Sequence, residues 1–294
     1  MMETGIEPVA RIRPAALGVL GHPVAHSLSP TFQQAALDAC GINIRYVAMD
    51  VPPSTLPDHL LSLCRAGWAG NITVPHKEAV AALCTDCTPA ARRVGAVNTI
   101  WSDSAGRPVG HNTDLDGVRA TVDALLGDAP IEHAVILGAG GASAAVCVAI
   151  AERLTGSLSL VARTADRGER LLERLGLAGR VAQAGTGMAD RCLGDATLII
   201  NATPVGLAGD DHPVSLARLA RSTRLFDLVY RREGTPWIRA ARAEGFVAED
   251  GLRMLVEQGA AAFSCWFGMA APRDAMWGAL GLSTPAAAAP RGLP

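Results

Sequence analysis

The run Gly138-Ala139-Gly140-Gly141-Ala142-Ser143 lies between the apolar stretch Ala134-Val135-Ile136-Leu137 and an alanine-rich segment, a spacing suited to phosphate binding. Gly138 permits a tight turn and Gly140 lets the backbone approach a pyrophosphate. The first amides of the following helix offer an anion site, and Ser143 stands where a third small residue belongs. At the end of the next apolar stretch come Arg163, Thr164 and, soon after, Arg167. A carboxylate there would take the ribose hydroxyls of NAD, whereas two guanidiniums and a hydroxyl suit a 2′-phosphate. Cations at a helix start face the wrong end of the dipole unless an anion is present. NADP(H) is therefore the expected cofactor. Lys77 is a further candidate, closing Asn71-Ile72-Thr73-Val74-Pro75-His76-Lys77. It delivers a cation just past a proline-stopped extended run, and loops at strand ends commonly carry catalytic groups. The blander reading is a solvated lysine opening the helical sequence of residues 78–83.

These residues need elements to hold them. The pattern predicts strands at residues 16–20, 45–49 and 72–74. Helices are expected from Ser29-Pro30, with Ser29 as cap, to Gly41 and again over 54–66. A hairpin-like excursion follows over 95–110, then a helix over 116–125. Strands at 134–137, 158–162, 197–200 and 224–228 alternate with helical stretches, which means an α/β fold with a doubly wound parallel sheet. Apolar helices over about 252–280 return to the first half. The expected division is 1–117 plus 252–294 against 118–251.

Composition narrows the partners. With 294 residues, 49% hydrophobic and 18% charged, the chain has ample apolar material for a large core. A net charge of -2 provides no basic field for nucleic acid or an anionic membrane, so a small molecule is the expected partner. The seven cysteines are an odd number and no export-type apolar segment accompanies Glu3 and Glu7, so free thiols in a cytoplasmic protein are expected. Cys84 and Cys87 form one C-x-x-C without a second pair, and Pro23 breaks the helix that His22 and His26 would need to share a metal. No metal is expected. The uncharged run 134–151 is split by glycines and reads as a buried strand and helix, not a membrane span. Residues 285–294 read as a frayed tail, and oligomeric state is left open, with a homodimer among the options.

Several blocks occur in order over about residues 16 to 280. They are His26-Ser27-Leu28-Ser29-Pro30, Asn71 to Lys77, Gly95-Ala96-Val97-Asn98-Thr99, Asn112-Thr113-Asp114, Gly138 to Ser143, Asn201-Ala202-Thr203-Pro204, and Asp250-Gly251-Leu252 with Gln258. Together they resemble the shikimate/quinate dehydrogenase family. The resemblance implies reversible, NADPH-dependent reduction of 3-dehydroshikimate to shikimate, a step of aromatic amino-acid biosynthesis. It implies an N-terminal α/β substrate domain, completed by the C-terminal helices, and a Rossmann-type NADP-binding domain. It makes Lys77 and Asp114 the catalytic pair and puts Ser27, Ser29, Thr73, Asn98, Asp114, Tyr230 and Gln258 at the substrate, with Asn71 in the same wall. Ala202, Thr203 and Gly251 join Gly138, Ala139, Gly140, Gly141, Ala142, Ser143, Arg163, Thr164 and Arg167 at the cofactor.

The chemistry agrees with those roles. A hydride arriving at a ketone leaves negative charge on oxygen, which an ammonium can stabilise and protonate. Ser27 and Ser29 would face the same side of an extended segment and reach one carboxylate, though a turn hydroxyl and a helix cap explain them locally. Asn98 and Asn112 can donate and accept at once, which suits a polyol and equally suits a turn. Ala162 stands where many members have asparagine, so the arginines carry the argument for NADP. His76 reads as packing or a substrate-side wall, Cys265, Trp266 and Phe267 as core, and Met269 as a neighbour of the nicotinamide. A quinate or aminoshikimate dehydrogenase of the same family stays open beside this reading. So does a catalytically silent NADP-binding sensor.

Overall fold

The computed structural model describes residues 14–285. Beyond Pro285, the expected tail lies outside them. Up to Thr113 the elements are β1 (Ala16–Gly21), α1 (Ser29–Ala39), β2 (Tyr46–Asp50), α2 (Leu56–Arg65), β3 (Trp68–Ile72), α3 (Lys77–Leu83), β4 (Asp86–Cys87), α4 (Pro89–Val94), β5 (Thr99–Ser102) and β6 (Pro108–His111). They build a sheet in the order β2-β1-β3-β5-β6-β4, parallel from β2 through β3 and antiparallel across β3-β5-β6. The antiparallel pair is the hairpin expected over 95–110. Leu20, Leu60, Val80, Val97 and Ile100 are completely covered, each worth about 1.5–3 kcal/mol of burial.

From Asp114 the chain runs α5 (Asp114–Leu126), β7 (Ile131–Leu137), α6 (Gly141–Ala151), β8 (Leu154–Ala162), α7 (Ala165–Leu175), β9 (Arg180–Gln183), α8 (Gly187–Gly194), β10 (Leu198–Asn201), β11 (Arg224–Asp227), α9 (Pro236–Ala243), β12 (Ala248–Glu249), α10 (Gly251–Phe267) and α11 (Arg273–Ala279). Its sheet is parallel throughout, in the order β12-β11-β10-β7-β8-β9. That is the doubly wound Rossmann order, whose reversal between β7 and β10 opens a crevice at the strands' carboxyl ends. The uncharged run 134–151 becomes the end of β7 and the whole of α6. This helix is buried on every side from Ser143 to Ile150, as its lack of a polar face requires. Among the described residues no helix is long and apolar enough to cross a membrane. Arg119 of α5 grips Glu152 at the end of α6 through two 2.8 Å bonds.

The backbone divides into two compact units, residues 14–113 with Val256–Pro285, and Asp114–Leu255. Where the sequence pattern suggests changes after 117 and 251, the contacts place them after Thr113 and Leu255, so α5 belongs wholly to the second unit. In the first unit α11 packs on α1.

Local readings change in two places. The strand expected over 72–74 is β3, Trp68–Ile72, and Thr73 and Val74 lie beyond it. Gly70 stands in mid-strand, where a Cβ would lie 2.2 Å from the Gly18 carbonyl and 2.3 Å from the Trp68 ring. Ser29 is not a cap; it is the first residue of α1, preceded by Leu28 at the N-cap. The extended segment that would have aligned Ser27 with Ser29 is therefore absent, and the Ser27 hydroxyl instead accepts the Ser29 N–H at 3.3 Å.

Candidate functional site

Polar side chains of the first unit gather around the ends of β3, β5 and β6 and the start of its part of α10. Asn98 is their hub. Its Oδ1 accepts the Thr113 backbone N–H at 2.7 Å, while its Nδ2 donates to Gln258 Oε1 at 3.1 Å and Thr113 Oγ1 at 3.0 Å. A backbone N–H can only donate, so the amide orientation of Asn98 is fixed. Asn112 donates to the Ala96 carbonyl at 2.9 Å, which ties it to the turn and leaves its own Oδ1 buried without a hydrogen bond.

Lys77 opens α3, half-buried, and its carbonyl accepts the Val97 N–H at 2.9 Å, placing it beside the Asn98 segment. A lysine at the first helical position meets the positive end of the dipole, so helix stability does not explain it. Thr73 is half-buried just past β3, and its methyl closes on β1, where a Cβ at Gly21 would be only 2.4 Å away. His76 is packing: it is 1% exposed and bonds the Val51 carbonyl through Nε2 at 2.8 Å. His22 pairs with Asp50 at 2.7 Å on the surface. Burial pushes the Cys84 and Cys87 thiols up, and both remain unpaired as disulfides. Among the described residues no cluster of histidine, cysteine and carboxylate could hold a metal.

In the second unit Asp114 is buried and opens α5, at the end of the helix that favours a carboxylate. Tyr230 is half-buried just after β11. The crevice at the sheet's reversal is a cavity of about 790 Å³ walled by Gly138, Ala139, Gly140, Arg163, Thr164, Arg167, Ala202 and Thr203. Gly138 has φ +103° and its hydrogen faces the Ala202 carbonyl, 3.1 Å from where a Cβ would be. Nothing lies within 4 Å of a Cβ at Gly140, so the backbone there is open to a ligand. A glycine turn and two arginines lining one cavity fit a dinucleotide carrying an extra phosphate.

Gly141, Ala142, Ser143 and Gly251 do not wall this cavity. Ser143 is buried and its hydroxyl accepts the Gly140 N–H at 3.2 Å, so it shapes the turn from behind. Gly251 serves a close approach, since a Cβ there would fall 2.2 Å from the Leu228 carbonyl. Asp190 and Arg218, which no local pattern singles out, also line the cavity and pair at 2.7 Å across 28 residues of chain. At the end of β11, burial raises the Asp227 carboxyl to about 6 even though Thr235, Val229 and Asn201 all donate to it. Met269, after α10, is 45% exposed.

Comparison with known proteins places this architecture. Residues 19–100 match the family model described as the shikimate dehydrogenase substrate binding domain, and residues 251–280 that of the shikimate 5'-dehydrogenase C-terminal domain. A protein of Symbiobacterium thermophilum named shikimate dehydrogenase (NADP(+)) is 40% identical over 269 residues, covering 88% of this chain and 91% of its own. The crystal structure of shikimate 5-dehydrogenase from Thermus thermophilus, in complex with NADP(H) and shikimate, superposes with a TM-score of 0.80 at 37% identity. It covers 90% of this chain and 98% of that one. The Aquifex aeolicus shikimate dehydrogenase structure gives a TM-score of 0.83 at 29% identity, covering 91% and 97%. The chain belongs to the shikimate dehydrogenase family.

Proposed function

We propose that the protein is an NADP-dependent shikimate dehydrogenase, an oxidoreductase that reversibly reduces 3-dehydroshikimate to shikimate in aromatic amino-acid biosynthesis. The observation that carries the cofactor half is the cavity at the Rossmann reversal, with the Gly138–Gly140 turn at one end and Arg163 and Arg167 in its wall. The names of the relatives support the substrate and the reaction. In this reading residues 14–113 with Val256–Pro285 hold the substrate, and Asp114–Leu255 hold the dinucleotide. The seven free thiols support a reducing, cytoplasmic setting.

The bound dinucleotide supplies hydride chemistry. Lys77 holds a proton at Nζ, donates a hydrogen bond to the ketone oxygen, and hands the proton over as negative charge develops there. Asp114 balances the ammonium and orients it. Asn98, Thr73 and Gln258 take the ring hydroxyls, Ser27 and Ser29 the carboxylate, and Tyr230 borders the ring. Gly138, Ala139 and Gly140 admit the pyrophosphate, with Gly141, Ala142 and Ser143 forming the helix start behind it. Arg163, Thr164 and Arg167 take the 2′-phosphate, and Ala202, Thr203 and Gly251 shape the nicotinamide end.

The test is an activity matrix on the purified protein, shikimate and quinate each with NADP+ and NAD+. Turnover is expected to be fastest with shikimate and NADP+. Turnover of quinate with NAD+ and none of shikimate with NADP+ would overturn the reading.

A further inference from the structure

Asn98 and Gln258 belong to a longer buried network that reaches back to the edge strand of the first sheet. Tyr46, on β2, is 4% exposed and its hydroxyl lies 2.7 Å from Asn71 Oδ1. Asn71, in β3, turns its Nδ2 to the Asn98 carbonyl at 3.2 Å and to Thr99 Oγ1 at 3.3 Å. The Thr99 hydroxyl lies 3.1 Å from Asn98 Oδ1 and 2.9 Å from Thr113 Oγ1.

The direction of each bond follows from what each atom can do. The Asn98 carbonyl can only accept, so Asn71 must face it with Nδ2 and present Oδ1 to Tyr46. Tyr46 must then donate, and no other donor reaches that oxygen among the bonds of the network. At the far end, the Thr113 N–H fixes Oδ1 of Asn98, and Nδ2 of Asn98 fixes Oε1 of Gln258. Gln258 is thereby held with its carbonyl oxygen facing Asn98. Tyr46 is itself locked: its backbone N–H donates to Gln34 Oε1 at 2.9 Å, and its ring packs on Trp266 with centroids 6.4 Å apart.

We propose that Tyr46 is a positioning residue for the substrate: by holding Asn71 it fixes the place of the Asn98 backbone, and with it the position from which Asn98 presents Gln258 to a substrate oxygen. This rests on the reading of Asn98 and Gln258 as substrate-holding groups. Without the phenol, Asn71 Oδ1 is buried with no donor, and the strain is relieved by shifting the Asn98 segment.

The test measures shikimate oxidation with NADP+ by wild type, Tyr46→Phe, Gln258→Ala and the double variant. Tyr46→Phe is expected to raise KM for shikimate about tenfold and to leave KM for NADP+ within about twofold. Because both residues act through one amide, adding Tyr46→Phe to Gln258→Ala is expected to change KM less than about twofold. Multiplying effects, or an unchanged KM in the single variant, would remove Tyr46 from this role. A general loss of packing would instead raise both KM values and multiply with Gln258→Ala. If Tyr46→Phe is not obtained folded, Thr99→Val breaks the same network and carries the same expectation. A wild-type protein that does not oxidise shikimate with NADP+ at all would refute the proposed function, a result distinct from the variants' failure.

Discussion

A lysine at the first position of a helix costs a little stability, so its presence there asks for another reason. Lys77 sits at such a position, half-buried, with its own carbonyl pinned by Val97 next to the Asn98 hub. An ammonium held there can protonate a developing alkoxide, and general acid catalysis of this kind contributes about 10²–10⁴-fold. Lys77→Ala is accordingly expected to lower kcat for shikimate oxidation by about that factor. NADP+ affinity, read by quenching of protein fluorescence, is expected to stay within about twofold, because the cavity that would take NADP+ is walled entirely by residues of the second unit. Unchanged turnover would return Lys77 to the role of a surface residue. Neighbouring His76 shows why the side chain cannot be judged by type alone. It is as polar as Lys77, yet it is buried with its Nε2 bonded to the Val51 carbonyl.

At the scale of elements, specificity for the phosphorylated dinucleotide is assigned to the start of α7. Arg163 precedes the N-cap Thr164 and Arg167 lies in the first turn, so both residues line the cavity from one short segment. Replacing both with glutamine is expected to raise KM for NADP+ by about 100-fold and KM for NAD+ by less than about threefold, since only the former carries the extra phosphate. Equal losses with both cofactors would mean that the arginines hold the helix and not the ligand. This part of the molecule was legible in the sequence because its signals are local: an apolar strand, a glycine turn and a cation pair lie within about 30 residues. Signals that depend on packing were not. The centre of β3 is hard to see locally because Gly70 carries no side chain to show a period of two, and the close approach of Trp68 and the Gly18 carbonyl that calls for a glycine there is tertiary. β9, β12 and β4 were missed because they run for four, two and two residues, too short for a period of two to register. Ser29 was misread because Pro30 marks a helix start without saying which residue before it is the cap. Asp190 with Arg218, and Tyr46 with Asn71, are pairs made by tertiary structure alone.

The whole molecule is two units of unequal continuity. The second is one uninterrupted stretch, Asp114–Leu255, whereas the first is assembled from residues 14–113 and Val256–Pro285. Each has its own sheet and its own apolar cluster, around Trp68 in the first and Trp237 in the second. Separate cores favour separate opening reactions, because the contacts that make opening cooperative lie within each unit. A ligand adds stability only to the part whose folded state it binds, by about 2.7 kcal/mol at a free concentration one hundred times Kd. Saturating NADP+ is therefore expected to slow amide hydrogen exchange in β7, β8 and β10, where the strand ends form the cavity, by up to about 100-fold. Exchange in β1, β3 and β5 is expected to stay unchanged. Mass-spectrometric exchange on the full chain, with and without NADP+, reads both at once. Equal slowing in the two sheets would show that the units open as a single cooperative body, and slowing confined to the first would place the dinucleotide in the wrong half of the molecule.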